Sequence, residues 1–303
     1  IAQTATAQYT GQLIGVGANW KNWRFDLGKP VGDLPVQSWV GGVQLKMDLG
    51  AGSLRLDAAR RMVPGSVVSM SGAIDPVTGE AWGGARRNGL SAVHYHPIDS
   101  KTDWVGIARY NHITGLNIPS NRELNLQGIL SRTVWSGAGQ KVELGASLFL
   151  WQFQKNLRFY TFGQGGYYSP QAFGSLTLPI TWTGKTANWA WRTQLSMGAS
   201  ESRESASDRY PGRPLLDAAE QSVLGTQGPT LQYAGGPGGG ISTALRVQLE
   251  RRLMDGFSLG LSGQIDRSEG YNPDSLQVYL RWNPRSTSWQ NATAEPLTPY
   301  SRF

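Results

Sequence analysis

The chain has 303 residues, a formal net charge of +7 and a hydrophobic fraction of 39%. That fraction is too low for a bundle of membrane helices, and the sequence has no run of about 18 apolar residues that would span a bilayer as a helix. The absence of cysteine excludes disulfides and thiolate metal sites. Basic and acidic residues interleave along the same segments, which argues against the concentrated basic patch of a nucleic-acid-binding protein.

Alternation of polar and apolar residues predicts thirteen strands. In chain order they span residues 6–20, 22–28, 36–49, 52–62, 87–97, 103–114, 122–135, 140–153, 173–184, 188–200, 242–254, 257–268 and 275–283. In the last of them every second residue from Leu276 to Trp282 is apolar, so that one face of the strand is apolar and the other polar. Many of the segments have about ten residues or more, which is the length that a tilted strand needs to cross a bilayer.

The connections between these strands alternate in length. Those that follow odd-numbered strands are mostly short, whereas those that follow even-numbered strands are long and span residues 29–35, 63–86, 115–121, 154–172, 201–241 and 269–274. All long connections therefore lie at one end of the sheet, as they do in outer-membrane barrels. A soluble sandwich would also alternate, but it has no reason to show this asymmetry. The sequence therefore predicts an all-β fold, an antiparallel up-and-down transmembrane barrel of the outer membrane.

The strand count has a consequence for the domain boundaries. An up-and-down barrel whose chain begins and ends in the periplasm has an even number of strands, so we expect an odd number of strands before Ile1. The alternative is that Ser66–Ser71 is a further strand. We assign residues 1–283 to the barrel and residues 284–303 to a tail without alternation, which lies in the periplasm or enters the lumen.

Two long motifs carry a resemblance to a known family. Segment 154–172 reads QKNLRFYTFGQGGYYSPQA and segment 59–89 reads ARRMVPGSVVSMSGAIDPVTGEAWGGARRNG. Both resemble the C-terminal region of the bacterial cellulose synthase operon protein C family. The resemblance implies a sixteen-stranded porin, with three strands before Ile1, preceded by a periplasmic array of tetratricopeptide helical repeats.

The same resemblance implies a function and a set of partners. A linear β-1,4-glucan, cellulose, would leave the cell through the barrel, which needs no cofactor. The implied partners are the cellulose polymer, outer-membrane lipid, the periplasmic helical-repeat domain of the same protein and the inner-membrane cellulose synthase complex. We expect no nucleic-acid partner.

A neutral glucan offers hydroxyl groups and flat apolar sugar faces, so its channel needs many weak contacts. We predict that the polymer meets residues on the polar strand faces, namely Arg55, Asp57, Glu143, Phe149, Trp151, Arg192, Arg246, Glu250, Arg252 and Asp266. Trp151 is the candidate sugar platform, and its alternative is a girdle or wall residue. For each charged residue the alternative is pairing across the lumen that only stiffens the wall.

Aromatic residues in the long loops are the candidate gate, namely Trp82, Phe162, Tyr167, Tyr168 and Tyr210. We expect the glycine-rich loop 154–172 to fold inward and narrow the mouth, and loop 63–86 to do the same. Loop 201–241 is either a lid, with a short helix at Pro214–Leu224, or a mobile surface loop. Its GGPGGG run predicts flexible backbone.

An outer-membrane enzyme that acts on envelope lipid or polysaccharide is the alternative function. Its candidate residues are His94 and His96, which share one strand face, with Asp99 and Asp103 nearby. The sequence places no serine to complete a triad and no third ligand for a metal. We therefore predict a channel without catalytic or metal-binding residues.

Overall fold

The computed structural model describes residues 9–76, 78–212, 232–268 and 272–282. In chain order the strands are β1 (Gly11–Trp20), β2 (Trp23–Gly32), β3 (Val40–Leu49), β4 (Gly52–Met62), β5 (Ala73–Ile74), β6 (Ala81–Pro97), β7 (Thr102–Leu116), β8 (Asn121–Gly137), β9 (Gln140–Phe153), β10 (Ala172–Lys185), β11 (Trp189–Glu204), β12 (Ser207–Asp208), β13 (Gln232–Tyr233), β14 (Gly236–Met254), β15 (Phe257–Arg267) and β16 (Asp274–Trp282). A helix, α1 (Val67–Ser71), lies between β4 and β5. In the described ranges no helix is long and apolar enough to cross a membrane.

Thirteen long strands form one sheet in which each strand pairs antiparallel with the next long strand along the chain, in the order β1-β2-β3-β4-β6-β7-β8-β9-β10-β11-β14-β15-β16. The short strand β5 pairs with β6, and β12 pairs with β13 in a separate two-stranded sheet. This order confirms the predicted up-and-down antiparallel fold. The edge strands β1 and β16 do not pair with each other, so the sheet formed by the described residues is open.

The segment Ser66–Ser71 is helical, so the alternative that it forms a strand is wrong. Ser66 is the N-cap of α1, and its hydroxyl accepts a hydrogen bond from the Ser69 backbone at 3.1 Å. The Ser69 hydroxyl in turn accepts from the Ser66 backbone N–H at 2.9 Å. This reciprocal capping box satisfies amide groups that a strand would have to pair with a neighbour.

Some strands extend further into the long connections than the alternation predicts. Strand β6 begins at Ala81 rather than at residue 87, and a register shift between Gly83 and Arg86 explains why the alternation stops early. The GGPGGG run, predicted to be flexible, belongs largely to β14, since residues 236–240 pair with residues 200–204 of β11. The predicted helix at Pro214–Leu224 and the tail 284–303 lie outside the described residues.

The pairing register divides the sheet into two faces. Asp57, Ser91, Arg109, Asn125 and Trp151 lie side by side on successive strands, and we call their side of the sheet the polar face. The residues that precede or follow them in each strand point the opposite way. Examples are Leu56, Ala92, Ala108, Leu126 and Leu150, and we call their side the apolar face. Exposed leucines cover much of the apolar face, as expected of a surface that contacts lipid.

An aromatic belt runs along the apolar face at the end that carries the short turns. Its members are Trp20, Trp23, Trp104, Trp135, Trp182, Trp189, Trp191, Phe257 and Trp282. Phe257 and Trp282 stack at a centroid distance of 6.1 Å, and Trp182 and Trp191 meet edge to face at 5.5 Å. Tryptophan rings concentrate where a bilayer meets water, so a belt of this kind is typical of an outer-membrane barrel.

Candidate functional site

The glycine-rich loop between β9 and β10 packs against the polar face. Tyr167 is 2% exposed, and its ring centroid lies 5.9 Å from that of Phe153. Asn121 donates a side-chain hydrogen bond to the Tyr167 hydroxyl at 3.2 Å. Phe153 and Asn121 begin or end strands on the polar face, so the loop lies on the inner side of the sheet at the long-loop end.

The connection after β4, together with the first residues of β6, packs onto this loop. Trp82 and Phe162 are both buried, with ring centroids 5.6 Å apart, and Val68 of α1 completes their cluster. Tyr210 packs against the same cluster. Gly166 has a φ of +68°, and a Cβ there would lie 2.6 Å from the Ser66 hydroxyl. The two loops therefore interlock at a position where a side chain has no room.

A buried carboxylate lies directly beneath these loops. Glu123 of β8 is 4% exposed and forms an ion pair with Arg87 at 2.6 Å. It accepts hydrogen bonds from the Trp151 indole at 2.8 Å and from the Asn111 side chain at 3.0 Å. Its partners come from β6, β9 and β7, so one side chain ties four strands together. The prediction missed this residue, although the polar residues at every second position from Asn121 to Asn125 signalled a polar strand face.

An aromatic patch surrounds Trp151 on the polar face. Its other members are Phe149, Phe153, Tyr168 and Phe173, whose ring centroids lie 5.0 to 6.3 Å from that of Trp151. Because the indole N–H is held by Glu123, the orientation of the Trp151 ring is fixed by the wall. The patch has the form of a platform on which flat apolar groups stack.

The structure places all ten predicted lumen residues on the polar face. In chain order they are Arg55, Asp57, Glu143, Phe149, Trp151, Arg192, Arg246, Glu250, Arg252 and Asp266. Several of the charged ones pair with close neighbours along the wall. Arg55 contacts Asp57 at 3.7 Å, Arg246 contacts Asp266 at 3.6 Å, and Lys141 contacts Glu143 at 2.8 Å.

The structure separates the residues of the predicted enzyme alternative. His94 and His96 stack at 6.1 Å on the apolar face. Asp103 lies on the polar face, where it accepts a hydrogen bond from Tyr95 at 2.7 Å. Asp99 pairs with Arg132 at 3.7 Å in the short turn after β6. Among the described residues no group of three or more potential metal ligands is present.

Comparison with known proteins then decides the family. A family model described as the C-terminus of cellulose synthase operon protein C matches residues 2–285. The chain belongs to this family. The cellulose synthase operon protein C of Salmonella typhimurium is 30% identical over 298 residues, and that of Escherichia coli K12 is 29% identical over 300 residues. Both matches cover 96% of this chain and 25% of the relative, so the chain spans about a quarter of these operon protein C sequences.

A solved structure supports the fold of this operon protein C domain. A protein titled "Bacterial polysaccharide outer membrane secretin" matches with a TM-score of 0.55 and 12% sequence identity. The match covers 89% of this chain and 79% of the secretin chain. At this level of identity the likeness establishes the fold alone, an all-β arrangement like that of an outer-membrane barrel.

Proposed function

We propose that this domain is the outer-membrane channel through which cellulose leaves the cell. The observation that carries the proposal is the aromatic patch around Trp151 on the polar wall of an operon protein C barrel. Pyranose rings present flat C–H faces that stack on aromatic rings, and hydroxyl edges that exchange hydrogen bonds with polar side chains. The patch and the polar wall supply both kinds of contact.

The proposed transport is passive and depends on contacts that form and break easily. Trp151 is held in place by Glu123, so its ring stays available when no sugar is present. On the neighbouring strand Gln127, opposite Phe149, offers an amide group beside the patch. Conduction requires that no single site holds the polymer tightly. Synthesis behind the channel supplies the energy for movement.

In the same proposal two connections close the mouth of the channel, the one between β4 and β6 and the one between β9 and β10. We call them the inward loops. Tyr167, Phe162 and Trp82 are buried between the loops and the wall, and each contributes about 2 kcal/mol of apolar burial. Exit of a polymer requires these contacts to separate. Tyr168, at the edge of the patch, is the first loop aromatic that an arriving sugar ring meets.

Orientation follows from the two ends of the sheet. Long loops face the exterior and short turns face the periplasm in outer-membrane barrels. The short-turn end then faces the periplasmic helical-repeat domain and, beyond it, the inner-membrane synthase, the partners that we propose.

The test measures extracellular cellulose in producing cells that carry the full-length protein. Replacement W151A is expected to reduce secreted glucan several-fold, and W151F, which keeps a ring, is expected to retain most of it. The matched control is W182A on the apolar face. For every variant, barrel assembly is monitored by heat-modified migration on gels. Unchanged secretion by the assembled W151A protein would contradict the platform, and unchanged secretion after loss of the gene would overturn the channel.

A further inference from the structure

A row of polar and basic side chains crosses the apolar face at the long-loop end. Arg60, Asn88, His112 and Arg122 lie side by side on β4, β6, β7 and β8. Arg60 bonds to Asn88, whereas the exposed guanidinium of Arg122 has no partner among the described residues. We call this set the basic row.

The apolar surface begins directly below the basic row. The next row toward the short-turn end consists of Ala58, Leu90, Tyr110 and Leu124. Leu90 is 66% exposed and Tyr110 is 51% exposed. The basic row therefore lies where the lipid-facing surface ends, at the height of lipid headgroups.

Below this boundary β6, β7, β8 and β9 form a groove of about 440 Å³. Gly106 and Gly128 leave the sheet bare there, and the Trp104 ring lies across them, since a Cβ on Gly128 would be 2.7 Å from that ring. The remaining lining is mostly aliphatic and consists of Ala92, His94, Ile107, Ala108, Leu126, Gln127, Leu148 and Leu150. The groove therefore accepts an apolar chain rather than a polar ligand.

The groove and the basic row lie at a separation that suits one lipid. Gly128 follows Arg122 by six residues on β8, which is about 20 Å along a strand. With a strand tilt of about 40° this corresponds to roughly 15 Å along the membrane normal. That depth is half of a hydrocarbon core about 30 Å thick, the thickness of one leaflet.

We propose that β4 and β6 to β9 bind a lipid A molecule of the outer leaflet. Its phosphates contact the basic row and one of its acyl chains lies in the groove. Arg60 and Arg122 are three strands apart, about 14 Å at sheet spacing, so they suit a disaccharide with a phosphate at each end better than a glycerophospholipid with one phosphate. Arginine binds phosphate through paired, charge-assisted hydrogen bonds.

The site rests on the outer-membrane placement proposed above but not on polymer export. It lies on the face of the wall opposite to the aromatic patch. The Arg122 backbone carbonyl accepts a hydrogen bond from Gln154 at 3.0 Å, but the Arg122 guanidinium and the groove lie on the other face. Replacements in the basic row are therefore expected to leave secreted cellulose unchanged. Loss of lipid binding and loss of secretion are thus separable outcomes.

The experiment measures binding of bisphosphorylated lipid A to the purified full-length protein in detergent by native mass spectrometry. Replacement R122A is expected to weaken binding about tenfold, the loss of one charged contact, and R60A/R122A is expected to abolish it. The matched control is R132A, because Arg132 lies on the same face of the same strand at the short-turn end. It is expected to leave binding unchanged.

A second variant and a second probe test the two halves of the site. G128L fills the groove and is expected to weaken lipid A binding while heat-modified migration shows an assembled barrel. Phosphatidylglycerol is expected to bind more weakly than lipid A and to respond less to R122A. Equal binding of both lipids, or equal loss with R122A and R132A, would overturn the proposal.

Discussion

Two buried glutamates stand at opposite ends of the polar face. Glu123 lies at the long-loop end and is 4% exposed, and Glu250 lies at the short-turn end and is 1% exposed. Glu123 is surrounded by partners from β6, β7 and β9 in the middle of the sheet. The side chain of Glu250 in β14 binds partners on β15 and β16, at the edge of the sheet.

The difference lies in what each carboxylate holds. Glu250 accepts hydrogen bonds from Ser258 and from Tyr279 at 3.2 Å, and pairs with Arg281 at 3.4 Å. It therefore fastens β16, which pairs with no described strand on its other side. Glu123 fixes the orientation of an indole beneath the inward loops. The same side chain in the same kind of burial stabilises an edge in one place and positions a candidate binding surface in the other.

The largest expected effect is on stability, from E250A. Removing one partner of a buried ion pair costs about 3–5 kcal/mol, and here it removes a carboxylate that Ser258, Tyr279 and Arg281 all contact. We expect a lower urea midpoint for unfolding in detergent and early release of β16. The control is D255N, which removes an exposed pair with Arg252 and is expected to cost under about 1 kcal/mol. Equal midpoints for the two variants would contradict the assigned role of Glu250.

The second largest effect concerns the orientation of Trp151 at the long-loop end of the polar face, and it is measured as secretion rather than as stability. E123A removes the acceptor of the Trp151 indole and the partner of Arg87, so we expect secreted cellulose to fall several-fold. E123Q keeps an acceptor for the indole and is expected to retain more secretion than E123A. If both variants secrete as the parent does while the barrel assembles, Glu123 does not act through Trp151.

A smaller effect is expected at the loop that covers Glu123. Y167F keeps the ring against Phe153 and loses only the hydrogen bond from Asn121, which is worth about 1 kcal/mol. In planar-bilayer recordings the open state is therefore expected to become about fivefold more frequent. Y160F, which changes an exposed tyrosine of the same loop in the same way, serves as the comparison. A Y167F channel that opens as rarely as the parent would exclude a role for this bond in closure.

The smallest expected effect is an increase in channel conductance at alkaline pH. Burial raises the pKa of the Tyr167 phenol above its ordinary value. The unfolded or open loop therefore loses its proton near the ordinary pKa of about 10, while the closed loop keeps it. Closure is fully stable below pH 10 and weakens as the pH rises above it. We expect conductance to increase above about pH 10 in the parent and to lose this component in Y167F.

The sequence contained the information for the faces of the sheet but not for the contacts between distant strands. Alternation in β4 and β9 placed Asp57 and Trp151 correctly on one face, because side-chain direction in a strand depends only on counting by two. Glu123 was missed because its partners lie on three other strands. Their proximity depends on register, which the sequence of β8 does not contain.

Alternation along the sequence also fails to predict which face a side chain occupies when a turn or a bulge separates two segments. The histidines share a face as predicted, but Asp103 lies beyond a four-residue turn, which places it on the opposite side of the sheet. The bulge between Gly83 and Arg86 concealed the first residues of β6 in the same way. Local alternation thus predicted the facing of most side chains in the strands. The packing of the irregular long loops could be determined only from the structure.

The aromatic belt has a consequence for how the domain sits in a membrane. Tryptophan rings gather at the short-turn end, whereas the basic row and few exposed aromatics mark the other boundary. In the orientation proposed above, we expect the belt to fix the height of the periplasmic rim, so that a thicker or thinner bilayer is accommodated at the outer rim. The entrance of the proposed channel then keeps a constant distance from the machinery proposed to deliver the polymer, and its exit adjusts to variation in membrane thickness.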